Sequence, residues 1–229
     1  MIKLIIFDLD GVLVNARELH YEALNKALSS IDEKYVINRD EHLSTFDGTS
    51  TKKKLTMLTE LKGLPKDSHD LVWRLKQDKT LEIIDRFDID SRIKDILKKL
   101  KSDGYHIACA TNSIRETAKL QLIRKGFFEH IDFLYSNQDV NNTKPNSEIY
   151  LRCMIKVGVN PNETVIVEDS HIGRKGAISS GAYLCAVEDS SDVSYEKIQK
   201  VIDSANKKSN IRPKWQGGNM NVLIPMAGA

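Results

Sequence analysis

The chain has 229 residues, enough for one fair-sized domain or for a core with a smaller insert. Apolar residues make up 41% of it and charged residues 29%, a composition typical of globular proteins. The net charge of +2 argues against a nucleic-acid partner, and no apolar run has the length of a signal-peptide core or a membrane span. We therefore expect a cytoplasmic protein that binds neither nucleic acid nor membranes.

Five short apolar runs predict β-strands, because runs that are apolar throughout are typical of strands buried on both faces of a parallel sheet. The strong runs are residues 3–7, 106–110 and 164–167, and the weaker ones are 133–135 and 183–187. Helical patterns lie between them: a face formed by Ile93, Ile96, Leu97 and Leu100, a capping box at Ser113–Glu116 opening a helix that ends near Gly126, and a helix from Ser147 to Val157. This alternation predicts an α/β fold with a Rossmann-like parallel sheet.

Residues 16–88 interrupt the alternation, since they contain several helical patterns and no strand run. We expect them to form a helical cap, inserted after the first strand and lying above the carboxyl edge of the sheet. The core then comprises residues 1–15 and 89–206. Residues 207–219 are polar and contain Pro213 and a Gly217-Gly218 pair, which is typical of a linker.

Three cysteines, Cys109, Cys153 and Cys185, lie far apart in apolar segments. Their number is odd, and their spacing is not that of metal ligands. The pattern predicts buried free thiols in a reducing compartment.

Two aspartates, Asp8 and Asp10, follow the first predicted strand and precede Gly11. Since side chains alternate along a strand, both carboxylates can project from the same side of its end. Such a pair repels unless a cation lies between its members, and hard oxygen ligands suit Mg²⁺. A simple Asp-Gly turn is the alternative interpretation.

Three later segments supply further polar groups. "ATNS" at 110–113 brings a hydroxyl, an amide and a helix N-terminus, which binds anions; "TKPNS" at 143–147 brings a lysine; "VEDS" at 167–170 brings two acids. Each alone could be a capped turn, a solvated lysine or an acidic loop. Because the carboxyl ends of the strands in an open parallel sheet line one crevice, their joint occurrence favours a single site.

The four segments resemble the motifs of the haloacid dehalogenase (HAD) superfamily. The matching residues are Asp8-Leu9-Asp10-Gly11, Thr111-Asn112-Ser113, Lys144-Pro145 and Glu168-Asp169-Ser170. The resemblance covers roughly residues 1–205. The segments "DGVLVNARELHYEALNKAL" and "VEDSHIGRKGAISSGA" resemble the sequences of one subgroup, that of β-phosphoglucomutase and small phosphosugar phosphatases. Proteins of this subgroup carry a helical cap after the first strand. Asn15 departs from that pattern, because close relatives usually have an acid there.

The resemblance implies a phosphoric monoester hydrolase whose cofactor is Mg²⁺ and whose substrate is a small phosphate ester. Asp8 would attack phosphorus to form an aspartyl-phosphate, and Asp10 would protonate the leaving oxygen and then activate water. The groups that would hold the phosphoryl oxygens are Thr111, the Asn112 backbone and Lys144. The groups that would hold Mg²⁺ are Asp8, the Asp10 carbonyl and Asp169, with Glu168 close by.

The expected cap has candidate substrate contacts of its own. "FDGTSTKKKL" at 46–55 predicts a helix with three lysines in its first turn, where a bound anion would offset their unfavourable interaction with the helix dipole; three solvated lysines are the alternative. The Gly48-Thr49-Ser50 turn resembles the specificity loop of the subgroup. His20 and Lys76 stand where proteins of the subgroup contact the substrate or the transferred phosphate. The candidate cap residues are His20, Gly48, Thr49, Ser50, Lys52 and Lys76.

"MNVLIPMAGA" at 220–229 resembles the first strand and glycine turn of sugar nucleotidyltransferases. We therefore expect the chain to be the N-terminal part of a longer bifunctional protein, fused to a nucleotidyltransferase domain. Fusion to such a domain suggests a phosphosugar or polyol phosphate substrate and a role in polysaccharide precursor synthesis.

The leading hypothesis is a Mg²⁺-dependent phosphatase. An acid at position 10 favours it over a dehalogenase, because a halide leaves without a proton whereas an alkoxide needs one. A phosphosugar mutase of the β-phosphoglucomutase type, with the same site and a cap that retains the intermediate, is the first alternative. A non-catalytic scaffold domain for the transferase is the second.

Overall fold

The computed structural model of the chain describes residues 1–46 and 49–211. Five strands form one parallel sheet in the order β3-β2-β1-β4-β5. They are β1 (Leu4–Phe7), β2 (His106–Ala110), β3 (Phe133–Tyr135), β4 (Thr164–Glu168) and β5 (Tyr183–Ala186). The five predicted strands are confirmed, with ends that differ by at most one residue.

The central position of β1 explains why it is apolar throughout. Ile5 pairs with Ile107 of β2 on one side and with Val165 of β4 on the other. Its side chain enters the hydrophobic core on one face of the sheet, and that of Ile6 enters the core on the opposite face. Because both faces are covered, all four residues of β1 are buried.

The segment after β1 folds as a helical unit with a hydrophobic core of its own. It contains α1 (Arg17–Ser29), α2 (Arg39–Glu41), a π-helical turn (His42–Phe46), α3 (Thr51–Lys62) and α4 (His69–Ile84). Leu24, Leu28, Phe46, Leu58 and Val72 are buried together there, apart from the two cores of the sheet. Residues 16–46 and 49–88 contain no strand, so the predicted helical cap inserted after the first strand is confirmed.

Helices cover both faces of the sheet. The core helices are α5 (Ser91–Ser102), α6 (Arg115–Arg124), α7 (Glu148–Val157), α8 (His171–Ser179) and α9 (Tyr195–Ile211). Apolar residues of α5, α6 and α9 join the core that contains Ile5, whereas those of α7 and α8 join the core that contains Ile6. The result is a three-layer α/β arrangement whose strands all present their carboxyl ends at one edge.

The start of α6 differs from the prediction. The helix begins at Arg115 and its N-cap residue is Ile114, not Ser113, so the predicted capping box at Ser113–Glu116 is wrong. The Ser113 hydroxyl donates a hydrogen bond to Asp10, and the Arg115 N–H of the first turn donates to Gln138 Oε1.

The predicted linker also begins later than expected, because α9 continues to Ile211 and includes residues 207–211. The rest of the linker and the "MNVLIPMAGA" segment lie outside the described residues, so the nucleotidyltransferase resemblance stays a prediction. Within the described ranges, no helix is both long enough and apolar enough to cross a membrane. All three cysteines are buried and free, as predicted.

Candidate active site

The carboxyl ends of three neighbouring strands bring the motif residues together. Asp8 follows β1, Thr111 follows β2, and Asp169 follows β4. All three side chains are buried; Asp8 is only 7% exposed. Together with Asp10 and Lys144 they line one cavity of about 570 Å³, a volume that suits a small-molecule ligand.

Lys144 links the two acidic strand ends. Its Nζ donates to Asp8 Oδ1 at 2.6 Å and to Glu168 Oε1 at 2.7 Å. The Asn112 side chain holds the Lys144 backbone, accepting from its N–H at 3.1 Å and donating to its carbonyl at 3.3 Å. The Tyr150 hydroxyl donates to the same Glu168 oxygen at 3.2 Å. Four side chains therefore fix the position of the ammonium group beside Asp8.

The charges of this cluster do not balance. Burial raises the pKa of Asp8 well above its ordinary value of 3.8, and the carboxylates of Glu168 and Asp169 add to the rise while Lys144 opposes it. Burial alone would lower the pKa of Lys144, but Asp8 and Glu168 outweigh it and raise that pKa well above 10.5. One ammonium thus faces three carboxylates.

That excess of negative charge fits a divalent cation. Oxygen atoms of Asp8, Glu168 and Asp169 all lie within 4.8 Å of one another. An all-oxygen donor set is the kind that Mg²⁺ prefers. The other Glu168 oxygen already accepts from the Ser170 N–H at 3.0 Å and its hydroxyl at 3.1 Å, so Glu168 also holds the loop that carries Asp169. The Asp10 carboxylate is not part of this group.

Two glycines allow these acids to pack closely against the backbone. Gly11 has φ +98°, and a Cβ there would lie 2.2 Å from Asp169 Oδ2. At Gly173, in the first turn of α8, a Cβ would lie 1.8 Å from Glu168 Oε1. Neither position has room for a side chain, so each glycine is required by the acid that it touches.

Asp10 faces a different set of partners from Asp8. Its carboxylate accepts from the Ser113 hydroxyl at 2.5 Å and from Gln121 Nε2 at 3.2 Å, and His20 Nε2 lies 3.2 Å from its Oδ1. Burial would raise the pKa of Asp10, but the interactions with His20 and the hydrogen bonds from Ser113 and Gln121 outweigh it and lower that pKa below 3.8. These contacts therefore hold Asp10 in its deprotonated, carboxylate form.

A chain of contacts joins Asp10 to the cap. Lys76 Nζ lies 3.3 Å from His20 Nδ1, and since an ammonium only donates, Nδ1 accepts and Nε2 carries the proton of the ring. Burial and the charge of Lys76 lower the pKa of His20 below 6.5. Burial and the charge of Lys54 lower the pKa of Lys76 from 10.5 to about 8.

The cavity includes most of the predicted cap contacts. His20, Thr49, Ser50, Lys52 and Lys76 all line it, whereas Gly48 lies outside the described residues. Ser50 has a second role, because its hydroxyl accepts from the Lys53 N–H and caps α3.

Several residues of the cavity and its surroundings were not predicted as site residues, among them Lys54, Ser113, Gln121, Tyr150 and Trp73. Ser113 belongs to a recognised motif, which could have identified it. Lys54 belongs to the lysine triplet for which the sequence analysis considers a bound anion. The other three lie inside helical patterns and have no motif that marks them.

Replacing Lys76 by methionine should raise the stability of the protein and lower its activity. The folded-state pKa of about 8 lies below the ordinary value of 10.5, so burying the charged form costs stability below pH 8, and this cost disappears as the pH rises toward 10.5. We expect Lys76→Met to raise the free energy of unfolding at pH 7 by about 1–3 kcal/mol, with the gain vanishing near pH 10. Its kcat/KM should fall about tenfold or more through the lost contact with His20.

The control is Lys79→Met, one turn along α4, which removes only an exposed pair with Glu82. Urea unfolding at pH 7 and pH 10 and steady-state kinetics measure both effects. Unchanged kinetics in Lys76→Met would remove Lys76 from the site.

Comparisons with known proteins agree with this geometry. A sequence model described as haloacid dehalogenase-like hydrolase matches residues 5–187. A phosphorylated carbohydrates phosphatase from Thermotoga maritima is 27% identical over 177 residues, covering 77% of this chain and 81% of the relative. Pyrophosphatase PpaX from Bacillus cereus is 25% identical over 194 residues, covering 81% of this chain and 83% of the relative.

Among solved structures, β-phosphoglucomutase from Clostridium difficile superposes with a TM-score of 0.77 at 22% identity. The superposition covers 92% of this chain and 100% of the other. At that identity, the likeness shows a shared fold.

Proposed function

The chain belongs to the haloacid dehalogenase-like hydrolase family, and from that premise we propose that it is a Mg²⁺-dependent phosphatase of small phosphosugars or polyol phosphates. The observation that carries the proposal is the position of Lys144 Nζ, 2.6 Å from the buried Asp8 carboxylate. A nucleophilic carboxylate and a phosphate are both anionic, and an ammonium beside them offsets the repulsion. Mg²⁺, when held by Asp8, Asp169 and the Asp10 carbonyl with Glu168 close by, adds positive charge at the same place.

The proposed reaction has two steps that use Asp8 and Asp10 in turn. In the first, an Asp8 oxygen forms a bond to phosphorus, the ester P–O bond breaks, and Asp10 gives its proton to the leaving oxygen. In the second, Asp10 takes a proton from water, the water oxygen attacks phosphorus, and inorganic phosphate leaves Asp8. Thr111, the Asn112 backbone and Lys144 hold the phosphoryl oxygens in both steps.

Asp10 must gain a proton before the first step. An anionic ester bound beside its carboxylate raises the Asp10 pKa by like-charge repulsion. His20 Nε2 lies 3.2 Å from Asp10 Oδ1 and Lys76 Nζ lies 3.3 Å from His20 Nδ1, so the ring can give its Nε2 proton to Asp10 while Nδ1 takes a proton from the Lys76 ammonium. The contact therefore supports the acid role of Asp10.

Asp10→Asn should slow turnover by about a hundredfold to ten-thousandfold, because the amide can neither protonate the leaving oxygen nor activate water. With p-nitrophenyl phosphate, whose leaving group needs no proton, only the second step should be slow. We therefore expect a rapid burst of nitrophenolate equal to the enzyme concentration, followed by slow release. Wild-type turnover rates, or a slow release without a burst, would contradict this role.

A phosphate-release panel tests the function itself. The proposal predicts Mg²⁺-dependent release of inorganic phosphate from phosphosugars or polyol phosphates, abolished by EDTA. Efficient cleavage of nucleotides without release from any sugar or polyol phosphate would overturn the substrate class. The suggestion of polysaccharide precursor synthesis by a fused nucleotidyltransferase rests on the predicted tail alone.

Product analysis separates the phosphatase from the mutase, because a mutase returns the phosphoryl group to the sugar and releases little free phosphate. The scaffold alternative requires an inactive site. The intact cluster around Lys144 argues against it, and phosphate release from this chain would exclude it.

A further inference from the structure

The side of α4 that faces the cavity carries an indole, that of Trp73, three residues before Lys76. We propose that Trp73 is a platform on which the ring of a cyclic sugar phosphate stacks, so that it determines specificity for phosphosugars over open-chain polyol phosphates. The inference rests on the proposed function and deepens it, since that function leaves both substrate classes open.

Trp73 does not contribute to the hydrophobic core of the cap. Its neighbour Val72 is fully buried in that core, and Leu75 packs against it. Within the described ranges, the residues that form or contact the cap core do not include Trp73. Trp73 is 37% exposed and lines the cavity instead. Because covering a large apolar surface is favourable, a ligand that lies against the indole gains binding energy there.

The rest of the cavity lining is mostly polar. Among the described residues that line it, Trp73 is the only tryptophan and none is a phenylalanine or a tyrosine, whereas Gln77, Asn137 and Asn141 bring amides that can bond hydroxyls. A sugar ring carries hydroxyls around its edge and C–H groups on its faces, so it matches an indole within a polar lining. An open-chain polyol has no such face until its rotatable bonds are fixed, and fixing them costs entropy.

The position of Trp73 on α4 assigns it to the leaving group. Residues three apart in a helix share a face, so Trp73 and Lys76 lie on the same side of α4. Lys76 Nζ lies 3.3 Å from His20 Nδ1, and His20 Nε2 lies 3.2 Å from Asp10 Oδ1. In the proposed reaction Asp10 protonates the leaving oxygen, whereas the phosphoryl group binds at Asp8. The indole therefore lies on the side of the cavity that receives the carbon skeleton of the ester.

Matched esters with and without a ring test the platform. The pairs are glucose 6-phosphate with sorbitol 6-phosphate and mannose 6-phosphate with mannitol 6-phosphate, whose members share their configuration from C2 to C5. We expect the ring member of at least one pair to have a kcat/KM about tenfold higher, mainly through a lower KM. Trp73→Leu should remove that preference by lowering the value for the ring member, and Trp73→Phe, which keeps an aromatic face, should retain most of it. The control is Leu71→Ala, an exposed apolar residue of α4 outside the cavity lining, which should leave both members unchanged.

Fluorescence tests the contact itself and covers the case in which Trp73→Leu does not fold. Trp73 and Trp215 are the only tryptophans of the chain, so Trp215→Phe leaves Trp73 as the sole indole. In Asp8→Asn combined with Trp215→Phe, which should not consume its ligand, the preferred ring ester with Mg²⁺ should shift the emission to shorter wavelength and saturate.

Three results would overturn the platform alone: no ring preference in either pair, equal losses on both members in folded Trp73→Leu, or unshifted emission at ring-ester concentrations well above KM. Absence of phosphate release from every ester with Mg²⁺ would overturn the proposed function and the platform with it.

Discussion

Asp8→Asn is expected to abolish phosphate release, lowering kcat by about ten-thousandfold or more. The amide is nearly the same size as the carboxylate but cannot act as a nucleophile toward phosphorus. No neighbouring group replaces it, because the Asp10 carboxylate is directed toward His20, Ser113 and Gln121. The loss should appear with every ester, including p-nitrophenyl phosphate, which distinguishes Asp8→Asn from Asp10→Asn.

Although Asp8→Asn loses activity, its stability should not fall. The pKa of Asp8 is raised by burial and by nearby carboxylates, so its stabilising contribution is present at low pH and is lost as the pH rises through that raised value. At pH 7 in EDTA, the variant should therefore unfold at a temperature at or above that of the wild type. The exposed cap aspartate Asp78 provides the control, since Asp78→Asn should change neither property. Near-normal hydrolysis by Asp8→Asn would refute the assignment of the nucleophile.

Lys144→Met should lower kcat/KM by about a thousandfold or more and weaken the fold. The substitution leaves Asp8, Glu168 and Asp169 within 4.8 Å of one another without their ammonium partner. We expect the free energy of unfolding in EDTA to fall by about 3–5 kcal/mol, the cost of breaking a buried ion pair. Millimolar Mg²⁺ should restore part of this stability, because a bound cation would partly replace the missing positive charge, but it should not restore activity.

The control is Lys98→Met on α5, an exposed lysine whose loss should change neither activity nor stability. Urea unfolding with EDTA and with Mg²⁺ separates the stabilisation by Lys144 from the stabilisation by a bound cation. Equal stability of Lys144→Met and the wild type in EDTA would show that the lysine does not hold the three carboxylates together.

The parts of the fold that were predictable are those with a strong local pattern. The runs that became β1, β2 and β4 are mostly apolar because both faces of the sheet are covered, so their burial is visible in the sequence. The residues after those strands could be assigned to one site because parallel strands end at one edge.

The remaining features depend on contacts between distant segments. The capping box at Ser113 is wrong because α6 begins one residue later, where the Arg115 N–H donates to Gln138 of another segment, and the Ser113 hydroxyl donates to Asp10, 103 residues away. The burial of Lys54 next to two exposed lysines depends on how the cap lies over the core, and Gln121 and Tyr150 acquire their roles from acids of other segments. A local pattern records none of these contacts.

The most direct test of the account is to trap the covalent intermediate. Acid quenching during turnover, followed by borohydride reduction, converts an aspartyl-phosphate into homoserine, which peptide mass spectrometry can locate. The account predicts homoserine at position 8, only when ester and Mg²⁺ are both present, and in larger amount in Asp10→Asn with p-nitrophenyl phosphate. Steady phosphate release with homoserine at another position, or with none at all, would contradict it.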